Sequence, residues 1–201
     1  MGLYVDDSWC CDNAGSLADA DLAKFAKRFQ ITLDEDPKHF LGMNVHVHSP
    51  TRVTLSSEAY ILSMADRYVP DWRSRPKLTR PCTEKLLKAY DAAHERGRVA
   101  PPDQVKRYMG KVGALVYTSP CVRADACATI SRLGRALTFP SDELESCADD
   151  CMVYLAQTAS VGVTFDGHAS NADVLYCESD SDWAVGHSTT GWACYFGGAA
   201  F

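Results

Sequence analysis

Tyr4-Val5-Asp6-Asp7, near the start of the 201-residue chain, is the stretch on which the fold reading turns. Leu3, Tyr4 and Val5 favour a strand. Asp6 and Asp7 favour a turn, and Trp9-Cys10-Cys11 can supply a returning strand. These residues predict a hairpin whose tip carries two adjacent carboxylates. Such a tip offers hard oxygen ligands to Mg²⁺. Two such ions can activate a 3′-hydroxyl and stabilise a leaving pyrophosphate in in-line phosphoryl transfer. The other reading is an acidic turn with solvated carboxylates, and a tetrapeptide alone does not choose between them.

Outward from the hairpin, Ser16 can cap a helix running to about Phe29, with Leu22, Phe25, Ala26 and Phe29 as a core-facing stripe. Phe40 to His48 alternates as a strand, with Val45 and Val47 on one face and His46 and His48 on the other. The two histidines read either as the solvent side of that strand or as metal ligands. Ser49-Pro50-Thr51-Arg52 turns the chain into Val53-Thr54-Leu55. Ser57 then starts a helix with Tyr60, Ile61, Met64, Ala65 and Tyr68 on one side. Prolines punctuate residues 70–102, which read as a basic linker with one short helix near Glu84 to Glu95. Three helices follow. Asp103 is expected to cap the first, whose stripe is Val105, Tyr108, Met109, Val112 and Val116. The second spans about Ala124 to Leu137, and the third starts at Ser141 with Leu144, Cys147, Cys151 and Tyr154 as its stripe. Val161 to Phe165, Val174 to Glu178 and Gly191 to Phe196 read as strands.

The net charge of −6 has the wrong sign for a free-standing nucleic-acid binder. Its distribution is uneven. Residues 67–111 hold 12 Lys and Arg against 5 Asp and Glu, whereas no Lys or Arg follows Arg135. Phosphate binding is therefore expected in the middle third, around Arg73, Arg75, Lys77 and Arg80, unless that stretch is simply a solvated linker. Nine cysteines follow no disulfide or zinc spacing and read as reduced thiols acting as small apolar residues in an intracellular protein, cytoplasmic or nuclear. No run of 18 apolar residues and no charged-then-apolar leader is present, so neither a membrane partner nor a signal peptide is expected.

The order Tyr4-Val5-Asp6-Asp7, Phe40-Leu41-Gly42-Met43 and Val53-Thr54-Leu55-Ser56 resembles the reverse transcriptase of Ty1/copia-type retrotransposons. Tyr108 to Tyr117 is similar to that family's YRSLVGSLLYL block, and Arg123-Ala124-Asp125 stands where the family has RPD. Ser131-Arg132 matches a Ser-Arg of the family, and Ser179 to Ala184 resembles its SDADWA segment. Ser188 to Trp192 and Gly197-Gly198 resemble its STSGY and GG, so the likeness runs from Leu3 to about Gly198.

The resemblance implies an α/β (α+β) chain in four parts. Residues 1–69 would be a partial palm and thumb, 70–102 a linker, 103–160 a helical connection and 161–201 the start of an RNase H-like sheet. It implies RNA-directed DNA synthesis with Mg²⁺ at Asp6 and Asp7, and primer support by Tyr4, Phe40, Leu41 and Gly42. Asp180 would correspond to an RNase H metal ligand, and the partners would be an RNA or DNA template–primer and the N-terminal half of the polymerase. Only Met1, Gly2 and Leu3 precede Tyr4, so the chain is expected to carry two of the family's three polymerase carboxylates and to be an internal piece of a polyprotein. An isolated polypeptide of this sequence is expected to be inactive. The alternative is a repurposed fragment serving as a non-catalytic binding module. The third connection helix departs from the family, since Glu143, Glu145, Asp149 and Asp150 replace a basic face and are expected to repel a phosphate backbone.

Overall fold

The structure, a computed structural model, describes residues 2–4, 7–9, 17–34, 36–81, 84–97, 100–181 and 189–200. For residues 2–4, 7–9, 17, 18, 120 and 121 it describes the backbone alone. The chain divides into two units, Met1–Phe40 and Leu41–Phe201.

In the first unit, β1 (Gly2–Tyr4) pairs antiparallel with β2 (Asp7–Trp9). Gly2 lies opposite Trp9, Leu3 opposite Ser8 and Tyr4 opposite Asp7. α1 (Leu17–Ala26) ends earlier than the expected Phe29. Its stripe is not core. Leu22 is half-buried, whereas Phe25, Ala26 and Phe29 are exposed. Among the described residues of the first unit no second layer covers this stripe, and an amphipathic helix buries its stripe only against another element. Ile31 and Leu33 come beside Leu22, Ala23 and Ala26 and leave an open hollow. β3 (His39–Phe40) closes the unit.

The second unit begins with the antiparallel pair β4 (Met43–Ser49) and β5 (Arg52–Ser56). Val45 is buried opposite Leu55, and His46 and His48 are exposed, as the alternation predicts. Val47 was expected beside Val45 but is exposed, next to the register shift between Val47 and Ser49. The α-helices described next are α2 (Glu58–Tyr68), α3 (Glu84–Arg96), α4 (Pro102–Val122), α5 (Cys127–Gly134) and α6 (Asp142–Gln157). α4 opens on Pro102, whose missing N–H costs nothing in a first turn. The inward stripe of α4 is Tyr108, Val112 and Leu115, while Met109 and Val116 face outward.

α6 is the centre of the apolar core. Ser141 caps it as expected, with its hydroxyl accepting from the Leu144 amide at 3.3 Å. Leu144, Cys147, Ala148, Cys151, Met152, Val153, Leu155 and Ala156 are all buried. They meet Ile61 and Met64 of α2, Leu86 and Ala89 of α3, Tyr108 and Leu115 of α4, and Ile130 and Leu133 of α5 in one apolar cluster. Burying each such Leu or Ile side chain stabilises the fold by about 1.5–3 kcal/mol. Within the stretch read as a basic linker, Arg75, Pro76 and Leu78 are tied to the end of α6. The Gln157 side chain accepts from the Leu78 amide at 2.9 Å and donates to the carbonyls of Arg75 and Pro76.

After α6 the chain returns to the first sheet. β6 (Val163–Asp166) pairs antiparallel with β5, setting Val163 opposite Leu55 and Asp166 opposite Arg52, and giving the order β4-β5-β6. The Thr54 and Thr164 hydroxyls meet at 2.8 Å. Gly162 permits this approach, since a Cβ there would run into the Leu55 carbonyl oxygen. A separate antiparallel sheet has the order β7 (Tyr176–Ser181), β8 (Thr190–Phe196), β9 (Ala199–Ala200). Of the three strands predicted after residue 160, the first therefore joins β5 and the other two pair with each other. Cys177 and Cys194, directly opposed in β7 and β8, form a disulfide. This corrects the reading of all cysteines as reduced, because that reading rested on sequence spacing, and cross-strand register sets partners that spacing does not show. Cys147 and Cys151 are buried in α6, as expected. Helices packed with antiparallel sheets make the chain mixed α/β, as the sequence predicts.

Candidate catalytic hairpin and nucleic-acid interface

Asp6 lies outside the described residues, as do Val5, Cys10 and Cys11. Asp7 is the first residue of β2 and lies opposite Tyr4. The backbone thus holds Tyr4 and Asp7 side by side at one end of a two-stranded ladder. Adjacent carboxylates are the right kind of donor for Mg²⁺, which takes oxygen ligands in near-ideal octahedral geometry. Among the described residues no group of three or more His, Cys, Asp or Glu side chains is placed to hold a metal ion. Among the described residues the exposed pair His46 and His48 belongs to no metal-binding group, and His48 Nε2 lies 2.9 Å from the Thr54 hydroxyl.

Phe40 ends β3, and Leu41 and Gly42 make the turn before β4. Both turn residues have positive φ, 50° and 73° respectively. Two consecutive left-handed residues are the requirement of a two-residue hairpin turn. Gly42 is needed for a second reason, because a Cβ there would lie 2.8 Å from the Tyr117 hydroxyl. That hydroxyl donates to the Leu41 carbonyl at 3.1 Å, and the Tyr117 ring packs on Tyr60 at 4.6 Å between centroids. Tyr60 in turn donates to the Ala114 carbonyl at 3.1 Å. The turn is therefore clamped by α2 and α4. Sequence reasoning missed Tyr117 as the partner of this glycine, although both lie in quoted motifs.

The cations of the middle third are mostly engaged. Arg73 pairs with Asp66 at 2.6 Å and Arg75 with Asp71 at 2.9 Å. The hydrogen bonds from Arg73 and Trp72 hold the Asp66 carboxyl below its usual range, and Arg75 does the same for Asp71. Lys77 and Arg80 are exposed. On α3 and α4, Lys85 meets Asp150 at 3.4 Å, Arg96 meets Glu143 at 3.7 Å and Arg107 meets Glu145 at 3.3 Å. Lys111 sits 2.6 Å from Asp149 and 4.0 Å from Glu145, and all three are largely buried. The acidic face of α6 is thus matched by cations of its neighbours. Its charge has a partner within the chain, which the sequence reading of a phosphate-repelling face did not foresee.

Asp180 lies in β7 opposite Gly191 and is exposed, and it accepts from the Ser181 amide at 2.9 Å. Asp182 lies outside the described residues.

The Arg123-Ala124-Asp125 motif has a structural explanation. Arg123 is 0% exposed. It grips Asp125 with two hydrogen bonds of 2.9 Å and donates to the Thr158 carbonyl and hydroxyl at 3.1 and 2.8 Å. Tyr154 donates to Asp125 at 2.7 Å. Burial acts to raise the Asp125 carboxyl, but the bonds from Arg123 and Tyr154 outweigh it and hold the group below its usual value. The cluster locks the end of α4 and the start of α5 to the end of α6.

Over nearly all its length the chain is similar to transposon proteins. It is 26% identical over 201 residues to the retrovirus-related Pol polyprotein from transposon RE1 of Arabidopsis thaliana, covering 98% of this chain and 13% of that protein. The same figures hold for the RE2 polyprotein of that plant. It is 27% identical over 205 residues to a transposon Ty5-1 protein of Saccharomyces cerevisiae, covering 99% of this chain and 63% of the relative. No protein-family model matches, and no solved structure does. The chain is thus similar to a segment of retrotransposon Pol polyproteins. It spans 13% of the length of the two plant relatives. Among the described residues no helix is long and apolar enough to cross a membrane.

Proposed function

We propose that this chain is the later part of a reverse transcriptase from a Ty1/copia-type element, running from the YVDD hairpin through thumb and connection into an RNase H-like segment. The observation that supports it most is the β1–β2 ladder, which sets Asp7 opposite Tyr4 in a chain similar to Pol polyproteins from end to end. In this reading Asp6 and Asp7 would hold Mg²⁺, which supplies activation of a primer 3′-hydroxyl and stabilisation of the leaving pyrophosphate. Tyr4 lies against the primer strand, and Phe40, Leu41 and Gly42 support its terminus through the turn clamped by Tyr117. Arg73, Arg75, Lys77 and Arg80 offer phosphate contacts to an RNA or DNA template–primer, and Asp180 is a carboxylate of the RNase H-like segment. The working location is inside the cell, in cytoplasm or nucleus.

Two carboxylates satisfy Mg²⁺ poorly without a third, so a polypeptide of these 201 residues is expected to extend no primer by itself. The test joins the chain to the upstream polymerase half of an RE1-type relative and measures RNA-templated extension. Extension that vanishes with Asp6→Asn and with Asp7→Asn supports the reading. Extension that survives both substitutions sinks it.

A second reading, a non-catalytic binding module, is favoured by the pairing of Lys85, Arg96, Arg107 and Lys111 with α6, which reduces the charge left for phosphate. Binding of a primer–template that falls ~10-fold or more between low and physiological salt would speak for phosphate contacts. Its loss on reversing Arg73, Arg75, Lys77 and Arg80 to Glu would place those contacts there.

A further inference from the structure

The β7–β8 hairpin is held differently from the rest of the second unit. Every residue of β7 is exposed. On the face that carries Cys177 and Cys194, Trp192 is 72% exposed, and Leu175 and Phe196 are exposed as well. No apolar layer among the described residues covers this face, so the ladder and its cross-strand pairs carry the hairpin. β8 is held on its other side by β9, whose Ala199 is buried with Val163 and Phe165, whereas β7 is the outer strand and buries no residue, and an outer strand without a buried face is marginal in water. The neighbouring pair on the opposite face, Tyr176 on Tyr195, is a stack with centroids 4.8 Å apart. The Cys177–Cys194 bridge therefore adds a covalent tie between outer strand β7 and β8, across 17 residues of sequence, to the backbone ladder. It is open to solvent, since Cys177 is exposed and Cys194 half-buried. An exposed bridge is the kind that soluble thiols reach, whereas buried structural bridges resist them.

We infer that the Cys177–Cys194 bridge is a thiol–disulfide exchange site, attacked at Cys177 by a low-molecular-weight thiol, and that its opening releases the β7–β8 hairpin. The thiolate adds to Cys177 Sγ and breaks the bridge, forming a mixed disulfide. Cys194 leaves as thiolate and takes up a proton. A second small thiol then resolves the mixed disulfide, freeing Cys177 as a thiol and leaving the oxidised small-molecule disulfide. Two electrons pass from two small thiols to the protein, and oxidised glutathione reverses the sequence. The inference is independent of the polymerase reading, because it uses only the register and exposure of two strands.

The test places the full chain in glutathione buffers of graded redox poise, without denaturant, and traps free thiols by alkylation for peptide mass spectrometry. The expected result is reversible opening of the bridge at millimolar glutathione, with Cys147 and Cys151 protected throughout. Cys194→Ser should accumulate glutathione on Cys177, and Cys177→Ser should capture far less on Cys194. Amide exchange across residues 176–181 and 190–196 should rise on the order of 100-fold on reduction, the effect of losing a bridge over a loop of this size, while α6 stays protected. A bridge untouched by glutathione, thiols that never pair in oxidised glutathione, equal adducts on both cysteines, or unchanged hairpin exchange would each overturn the inference.

Discussion

The helical layer around α6 and the sheet of β7, β8 and β9 belong to the same chain but are stabilised by opposite means. Around α6, eight side chains of one helix are buried, and its outer carboxylates meet cations of α3 and α4. In the β7–β9 sheet, β9 is anchored by the burial of Ala199 beside Val163 and Phe165, while outer strand β7 is held by the disulfide, the aromatic stack and the ladder. The first region is over-determined, since apolar burial, a capped helix and buried polar bonds all specify one arrangement. The second depends on few contacts, and such segments open locally at low free-energy cost. Functional change in the molecule is therefore easier to place in the sheet than in the helices.

The contrast is broken most severely at Arg123. Arg123→Ala leaves Asp125 and Thr158 without their partner and should cost about 3–5 kcal/mol, the usual loss when one side of a buried pair is removed. Urea denaturation should read it directly, and a loss under 1 kcal/mol would show that the cluster is incidental. Leu155→Ala comes next, at about 2–4 kcal/mol for a core truncation, whereas Trp192→Ala in the sheet should stay within about 0.5 kcal/mol. Comparable losses from those two variants would erase the distinction between the regions.

Gly42→Ala should cost about 1–3 kcal/mol, from the left-handed backbone and the contact with Tyr117 together. In a Tyr117→Phe background the contact is relieved and only the backbone part should remain. Equal losses in both backgrounds would mean that Tyr117 does not confine the turn. The smallest effect is a slope. Asp125 is held below its usual carboxylate value, so its contribution is complete above the unfolded value of about 4 and is lost as pH falls through the depressed folded value. The stability gap between wild type and Asp125→Asn should therefore narrow from pH 6 to pH 3. A gap that stays constant would rule out the Arg123–Asp125 pair as an acid-sensitive element.

Local signals in the sequence located the helices well. Ser141 before Asp142 and Glu143 marked the start of α6, and the Ile61–Met64–Ala65 stripe marked α2, because caps and periodicity act within a few residues. The hairpin itself was legible for the same reason, although Asp7, expected in the turn, is the first residue of β2. What the sequence concealed was set by distant partners. Nothing near Val163 announces that it will face Leu55, and nothing near Glu145 or Asp149 announces Arg107 and Lys111. The stripe of α1 was misread as core because periodicity reports a face and says nothing of what covers it. Arg123 was matched to a motif without a role, since its burial depends on Tyr154 and Thr158, one helix away.

The pairing of β6 with β5 also has a consequence in time. Roughly 100 residues separate the two strands, and at a synthesis rate of about 5–20 residues per second β5 waits on the order of 5–20 s for its neighbour. Throughout that interval one edge of β5 has no partner strand, and unpaired edges recruit other chains. The helices between them are local structures that form in microseconds, and their association around α6 shortens the span that β6 must close. Folding of the second unit should thus run from the helices to the sheet, with strand docking last. The hazard of misassembly is greatest while the nascent chain still ends within α6.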